Sequence, residues 1–163
     1  MCEGNDCAEG DVGKAVGHGK IVVMRREVDA EGQCYWKTVK ILDLPIEGFV
    51  DYSALDIHHE TETLAITSQE NSQVWLGRLS TARDGAFDPD QATFEQGAVY
   101  DFPRNQNCEP QYCNIEGIQW LEGGGPGTPQ ILVAVSDKMK SKGRQAHTCL
   151  DKDQSFHLFA IPS

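Results

Sequence analysis

Two strand-like runs joined by a turn-rich segment lie between Asn114 and Lys138, and they constrain the fold more than any other stretch. The run that contains Ile118 and Trp120 alternates apolar and polar residues, whereas the run Ile131–Val135 is short and continuously apolar. Gly and Pro residues fill the segment between them. Such runs, bounded by turn residues, are typical of β-strands. The sequence therefore predicts a hairpin whose second strand is buried on both faces.

The same arrangement occurs earlier in the chain, which indicates an internal repeat. The run Asp51–Ile57 is followed by a polar turn and by a second apolar run that ends at Ser68. Ser68 and Ser136 lie 68 residues apart at the same place in the pattern. The tetrapeptides that start at Leu42 and Tyr100, 58 residues apart, both read apolar-Asp-apolar-Pro. A repeat on this scale decides the fold and has to be considered first.

The repeats divide the chain into units of about residues 1–45, 46–103 and 104–163, with two, four and three predicted strands. No segment keeps a helical period over ten residues without a Gly, a Pro or a turn cluster, so the predicted class is all-β. Four antiparallel strands describe one blade of a β-propeller, and a ring needs about four to eight blades. We therefore predict a single partial domain, an incomplete β-propeller of about three four-stranded antiparallel blades. Such a fragment is expected to be unstable or to self-associate through uncovered faces and edges.

Short motifs of the third unit resemble those of a propeller family. Asn114-Ile-Glu-Gly-Ile and Ser136-Asp-Lys are similar to the first-strand and second-strand signatures of phytase-like (esterase-like) propellers and their SMP-30/gluconolactonase-like relatives. The resemblance implies a propeller fold. Where such relatives are enzymes, it also implies an acidic cup that holds a divalent cation, commonly calcium. By position, it implies Glu116 as the acid on the inner strand and Asp137 as the acid after the second strand.

Propeller geometry brings further polar residues to the same end of the blades. In a four-stranded meander, the loop before the first strand and the loop between the second and third strands emerge at one end. We expect the polar residues of these loops to converge on one mouth: Glu3, Asn5, Asp51, Glu70, Asn71, Asn114, Glu116, Asp137 and Lys138. Carboxylate and amide oxygens suit Ca²⁺, and the Cys/His spacing of structural zinc is absent from the sequence.

From this set we predict a calcium site and an adjoining ligand site. The predicted metal ligands are Glu116, Asp137, Glu70 and Asn114. The predicted substrate-binding residues are Lys138 and Asp51. The alternative is that these side chains cap turns and contact solvent.

Two functions fit these expectations. In a metal-dependent hydrolase of the lactonase or phosphoesterase type, the cation would polarise a carbonyl or phosphoryl oxygen and activate water. The alternative is a non-catalytic propeller that binds a small molecule or a protein at its mouth. No nucleophile elbow, phosphate-cradling loop or Cys-x-x-Cys motif is present, so nucleophilic and redox mechanisms are not indicated. The net charge of −11 argues against nucleic acid, and no apolar run is long enough for membrane insertion.

The cysteines bear on the cellular location. Six cysteines in 163 residues favour an oxidising, extracellular or secretory compartment. Cys113 precedes the first strand of the third unit, and Cys149 lies between its second and third strands, so both are expected at the mouth and are predicted to form a disulfide. The alternative is a cytoplasmic protein with reduced thiols.

The remaining aromatic and histidine residues are predicted to be structural. Trp36, Trp75 and Trp120 fall on predicted strands and are expected to pack between blades. His58 and His59 fall in a turn, where we expect them to be solvated.

Overall fold

The computed structural model describes residues 16–17, 19–80, 88, 91–121, 129–138, 149 and 154–161. These residues contain nine β-strands and no α-helix. The strands are β1 (Lys20–Val28), β2 (Cys34–Asp43), β3 (Ala54–Ile57), β4 (Thr63–Ser68), β5 (Gln73–Ser80), β6 (Thr93–Asp101), β7 (Ile115–Leu121), β8 (Gln130–Ser136) and β9 (Phe156–Ile161).

The strands form three antiparallel sheets in which sequence neighbours pair. Sheet 1 contains β1 and β2, sheet 2 contains β3 to β6, and sheet 3 contains β7 to β9, each in sequence order. This order follows from the turn-rich connections, because antiparallel strands need only a short loop to pair. The predicted all-β class and the grouping of two, four and three strands are therefore confirmed for the described residues.

Sheet 2 lies between the other two sheets and packs by both faces. The core on the side of sheet 1 contains Leu44, Ile46, Phe49, Tyr52, Leu64, Ile66 and Trp75. The core on the side of sheet 3 contains Ala65, Val74, Phe102, Ile115, Trp120, Leu132 and Ala134. Because successive residues of a strand point to opposite faces, β4 supplies Leu64 and Ile66 to one core and Ala65 to the other. The residues from Leu64 to Ser68 are consequently all buried.

Sheets 2 and 3 meet along their first strands. β3 contacts β7, and Oδ2 of Asp56 accepts a hydrogen bond of 2.6 Å from the backbone N–H of Trp120. Farther from these strands, a groove of about 290 Å³ separates β5 and β6 from β9 and is lined mainly by apolar residues such as Leu76 and Phe159. The two sheets are thus tied together at β3 and β7 and leave a groove between their later strands.

The prediction that the second strand of the central hairpin is buried on both faces is wrong. In β8, Leu132 and Ala134 are buried against sheet 2, whereas Ile131, Val133 and Val135 on the other face are only half-buried. None of the described strands packs on that outer face of sheet 3. The continuously apolar run of β8 therefore gives the strand two apolar faces. Among the described residues, only the face toward sheet 2 is covered by another sheet.

Two of the aromatic predictions also need correction. Trp75 and Trp120 are buried as predicted, but Trp36 on sheet 1 is 64% exposed, because it lies on the face turned away from sheet 2. His58 is buried rather than solvated. Its ring packs edge-on against Trp120, with 5.7 Å between the ring centroids, while His59 is exposed.

Some predicted mouth residues lie outside the described residues. These are Glu3 and Asn5 in the first unit.

Candidate functional site

Asp51 and Ser68 form the centre of the loop end of sheet 2, by which we mean the loop before β3 together with the turn between β4 and β5. Oδ1 of Asp51 accepts hydrogen bonds from the Ser68 hydroxyl and, at 3.2 Å, from the backbone N–H of Glu70. Ser68 Oγ in turn accepts a 3.1 Å bond from the backbone N–H of Asn71. Because Ser68 is the last residue of β4, these bonds fix the loop before β3 to the end of β4.

The Asp51 carboxyl group is unusual because it is buried with one oxygen unpaired. The residue is 8% exposed, and its Oδ2 has no hydrogen-bond partner among the described residues. Burial raises the pKa of Asp51 above its ordinary value of 3.8, and the negative charge of Glu70 raises it further. The hydrogen bonds from Ser68 and Glu70, together with the nearby side-chain amide of Gln69, oppose this shift without cancelling it. Asp51 therefore has the capacity to accept a proton or a positively charged ligand.

Replacing Asp51 by asparagine should stabilise the protein at neutral pH. The Asp51→Asn variant keeps an oxygen that can accept from Ser68 and Glu70 but carries no buried charge, so we expect a gain of about 1–2 kcal/mol at pH 7. Since the native pKa of Asp51 is raised, the native state binds more protons than the unfolded state between pH 3.8 and the native pKa. The wild type should therefore lose stability as the pH rises through this range. The difference in free energy of unfolding between the variant and the wild type should grow over the same range. Urea unfolding at several pH values, with a chelator present, measures both effects.

The control for this experiment is an exposed acid at the opposite end of the sheet. Glu60→Gln, in the turn between β3 and β4, should change the free energy of unfolding by less than about 0.5 kcal/mol. An Asp51→Asn variant that is less stable than the wild type at pH 7 would show that the charge is stabilised by a partner, and the expectation would then be wrong.

The equivalent loops of sheet 3 hold Asn114 and Asp137 together. Asn114 is buried and has a left-handed backbone, with φ of 55°, a conformation that Asn tolerates better than most residues. Its carbonyl accepts a 3.0 Å bond from the backbone N–H of Asp137, and its Nδ2 donates to the carbonyl of Lys138 at 3.5 Å. The predicted neighbourhood of Asn114, Asp137 and Lys138 is therefore present.

The two predicted acids of sheet 3 are both exposed. Oδ1 of Asp137 accepts a 2.7 Å bond from the backbone N–H of Lys138, so this carboxylate caps its own turn. Glu116 lies where the pairing of β7 with β8 shifts register between Ile115 and Gly117.

A hydrogen bond joins the loop ends of sheets 2 and 3, and a disulfide lies beside it. The Ser72 hydroxyl donates a 2.5 Å bond to the carbonyl of Tyr112, which links the turn after β4 to the loop before β7. Next to Tyr112, the predicted disulfide between Cys113 and Cys149 is present, with 5.5 Å between the Cα atoms. Both of its cysteines are buried.

The predicted calcium ligands come from the loop ends of two neighbouring sheets. Glu70 belongs with Asp51 in sheet 2, while Asn114, Glu116 and Asp137 belong to sheet 3. Within the ranges that the structure describes, no three His, Cys, Asp or Glu side chains are close enough to hold one metal ion. Calcium also takes amide and backbone carbonyl oxygens, so the predicted calcium site stays a prediction.

Three residues with specific contacts were not predicted as candidates. Asp56 lines a cavity of about 260 Å³ together with Gln119 and Trp120. Ser136 Oγ lies 3.1 Å from Nε2 of His157, whose ring packs edge-on against Tyr112 at 4.9 Å. The position of Ser136, equivalent to that of Ser68 in the repeat, is the one signal that could have pointed to its role at a strand end.

The described part of the chain contains no helix that could cross a membrane. No protein-family model, curated protein or solved structure matches the chain.

Proposed function

We propose that the three sheets are consecutive blades of a β-propeller and that the chain is a binding scaffold, with its ligand at the loop end. The order of strands within each sheet, the face-to-face packing and the contact between β3 and β7 support this arrangement. In a propeller the first strands of neighbouring blades lie closest to the axis, and the groove between the later strands of sheets 2 and 3 agrees with blades that fan outward.

The hydrogen bond of the Asp137 carboxylate to its own turn favours a binding scaffold over a hydrolase. A metal-dependent hydrolase needs carboxylates directed at a shared cation, whereas Asp137 binds the backbone of its own turn and Glu116 is exposed at an irregular position of β7. The loop ends are instead held by backbone and side-chain hydrogen bonds. Rigid loops on a sheet scaffold are a common way to present a binding surface.

The chemistry of the surface narrows the class of ligand. The net charge of −11 supports a small molecule or a protein with a positive or neutral contact surface, and it argues against nucleic acid. The buried disulfide supports an extracellular or secretory location.

A metal-dependent hydrolase is the second candidate, and the unpaired Oδ2 of Asp51 is the observation that favours it. A cation at this oxygen would neutralise a buried charge. In that case Asp51 of sheet 2, rather than Glu116 of sheet 3, would be the principal ligand.

Calcium titration by calorimetry separates the two candidates. The scaffold predicts that the wild type, Glu116→Gln, Asp137→Asn and the control Glu60→Gln give the same heats, because Glu116 and Asp137 hold no ion. The scaffold predicts the same heat for Asp51→Asn as well. A loss of binding in Asp51→Asn, with or without a loss in Glu116→Gln and Asp137→Asn, would contradict the scaffold and support the hydrolase.

A further inference from the structure

The outer face of sheet 3 is apolar along all three strands. The register of β7, β8 and β9 places three rows of side-by-side residues on this face. The face consists of Gly117, Gln119, Leu121, Ile131, Val133, Val135, Phe156, Leu158 and Ala160. Phe156 is 77% exposed and Leu158 is 70% exposed. Only Gln119 in this set is polar, so the face has the composition of a sheet interior.

Sheet 1 presents a second apolar face at the opposite end of the stack. Ile21, Val23 and Leu42 pack toward sheet 2, so the alternate residues of both strands point away from it. These are Lys20, Val22, Met24, Arg26, Val28, Cys34, Trp36, Thr38, Ile41 and Asp43. Trp36 and Ile41 are largely exposed.

Carboxylates lie only at the ends of these faces among the described residues. The chain has 25 acidic residues; of these, Asp43 lies at the end of the sheet 1 face, paired with Lys20 at 3.3 Å, and Glu116 lies at the end of the sheet 3 face, at the register shift of β7. Between these ends neither face carries an acid, so two copies could bring the apolar rows together without burying like charges. Exposed apolar surface rimmed by polar residues is typical of interaction sites.

The repeat identifies which faces belong together. Ser68 and Ser136 occupy equivalent positions, so Val133 and Val135 of sheet 3 correspond to Ala65 and Thr67 of sheet 2. Sheet 3 itself covers that face of sheet 2. The outer face of sheet 3 is therefore equivalent to the face of sheet 2 that sheet 3 covers. By this equivalence, another sheet could pack on it.

The outer face of sheet 1 corresponds to the other side of sheet 2, the side that faces sheet 1. Asp43 and Asp101 are equivalent, and they pair with Lys20 and Gln73. Val22 consequently corresponds to Trp75, which points away from sheet 3 and toward sheet 1. The described residues thus leave two complementary faces uncovered. One corresponds to the side of sheet 2 that sheet 3 covers, and the other corresponds to the side of sheet 2 that faces sheet 1.

We propose that a second copy of this chain covers the outer face of sheet 3 with the outer face of its own sheet 1, so that copies associate head to tail. This contact repeats the sheet-on-sheet packing that already joins the three sheets within one molecule. The contact is heterologous, so it leads to rings or open chains rather than to a closed two-fold dimer. The nine positions of the sheet 3 face are fewer than the roughly 20 residues a side of a standard interface. Association should therefore be reversible and depend on concentration.

Two substitutions, one on each face, test the contact. Leu158→Glu alters the sheet 3 face, and Trp36→Glu alters the sheet 1 face. Sedimentation velocity should show that the wild type grows in mass with concentration and that each variant alone is a monomer. An equal mixture of the two variants should form a heterodimer, because one face of each remains intact and they are complementary.

The controls distinguish this contact from other modes of association. Tyr100→Glu changes an exposed aromatic residue of sheet 2 that belongs to neither end face, and it should associate like the wild type. Circular dichroism checks that all variants keep their strands. Self-association of Trp36→Glu alone would mean that two sheet 3 faces pair with each other and would overturn the proposal. A wild type that stays monomeric, or a mixture that does not combine, would also overturn it.

The exposed cysteines give a second readout on the unmodified protein. Cys34 lies on the sheet 1 face, whereas Cys108 lies in the loop before β7, and both are exposed. Maleimide labelling followed by peptide mass spectrometry should slow several-fold at Cys34 as the protein concentration rises, and stay constant at Cys108. Equal labelling of the two cysteines at all concentrations would contradict the predicted contact.

Discussion

Removing the Cys113–Cys149 disulfide is expected to lower the free energy of unfolding by about 4 kcal/mol. The two cysteines are 36 residues apart in sequence, and the entropy of closing a loop of this length in the unfolded chain gives roughly that value. The double variant Cys113→Ala/Cys149→Ala is preferable to chemical reduction, because the chain has four other cysteines. Guanidinium unfolding at low protein concentration measures the difference.

The effect should extend to the candidate site. Cys113 immediately precedes Asn114, whose carbonyl accepts the backbone N–H of Asp137. Without the disulfide, hydrogen exchange at the Asp137 amide should become faster relative to the amides of β4. The exposed cysteines provide the control, since Cys34→Ser and Cys108→Ser should each change the free energy of unfolding by less than about 0.5 kcal/mol. A double alanine variant as stable as the wild type would contradict the expectation.

Strand positions were predictable because they depend on local pattern. Alternation and turn residues marked the nine strands, and the repeated Ser68 and Ser136 positions showed how they group into sheets. The disulfide was predictable from the same topology, because Cys113 and Cys149 occupy loops that leave one sheet at the same end. These features require no knowledge of how one sheet packs on another.

The burial of individual side chains could not be predicted in this way. Trp36 and Trp75 both lie on strands with apolar neighbours, but only Trp75 faces a second sheet. Likewise, the turn that contains His58 reads as polar, yet the ring is buried because Trp120 of the neighbouring sheet lies against it. Burial across a sheet-sheet interface depends on contacts distant in sequence, which periodicity does not record.

The candidate site was predictable in its parts and not in its assembly. Topology placed Asn114 beside Asp137, and their backbones are hydrogen-bonded. It did not predict that Asp51 is buried against Ser68, because a carboxylate before a strand is more often solvated. Nor could it predict that Asp137 caps its own turn, since this depends on the side-chain rotamer.

Replacing Trp75 by alanine should cost about 3–5 kcal/mol, the usual range for a large aromatic residue removed from a core. The side chain is fully buried between sheets 1 and 2. Its ring lies over Gly97, where even a Cβ atom would overlap it, and it packs edge-on against Phe94 with 5.9 Å between centroids. The space that it leaves is framed by two strands of sheet 2, so the core has little freedom to collapse around it.

Trp36→Ala is the matched control, because it removes the same side chain from a strand where 64% of the residue is exposed. This variant should lose less than about 0.5 kcal/mol. Urea unfolding should be followed at the lowest practical protein concentration, since Trp36 lies on the face proposed to contact a second copy. Similar losses in the two variants would mean that sheet 1 is covered in the folded monomer, and the stacking order of the sheets would then be wrong. A large loss for Trp75→Ala alone would show that packing on the sheet 1 side of sheet 2 contributes strongly to the stability of the chain.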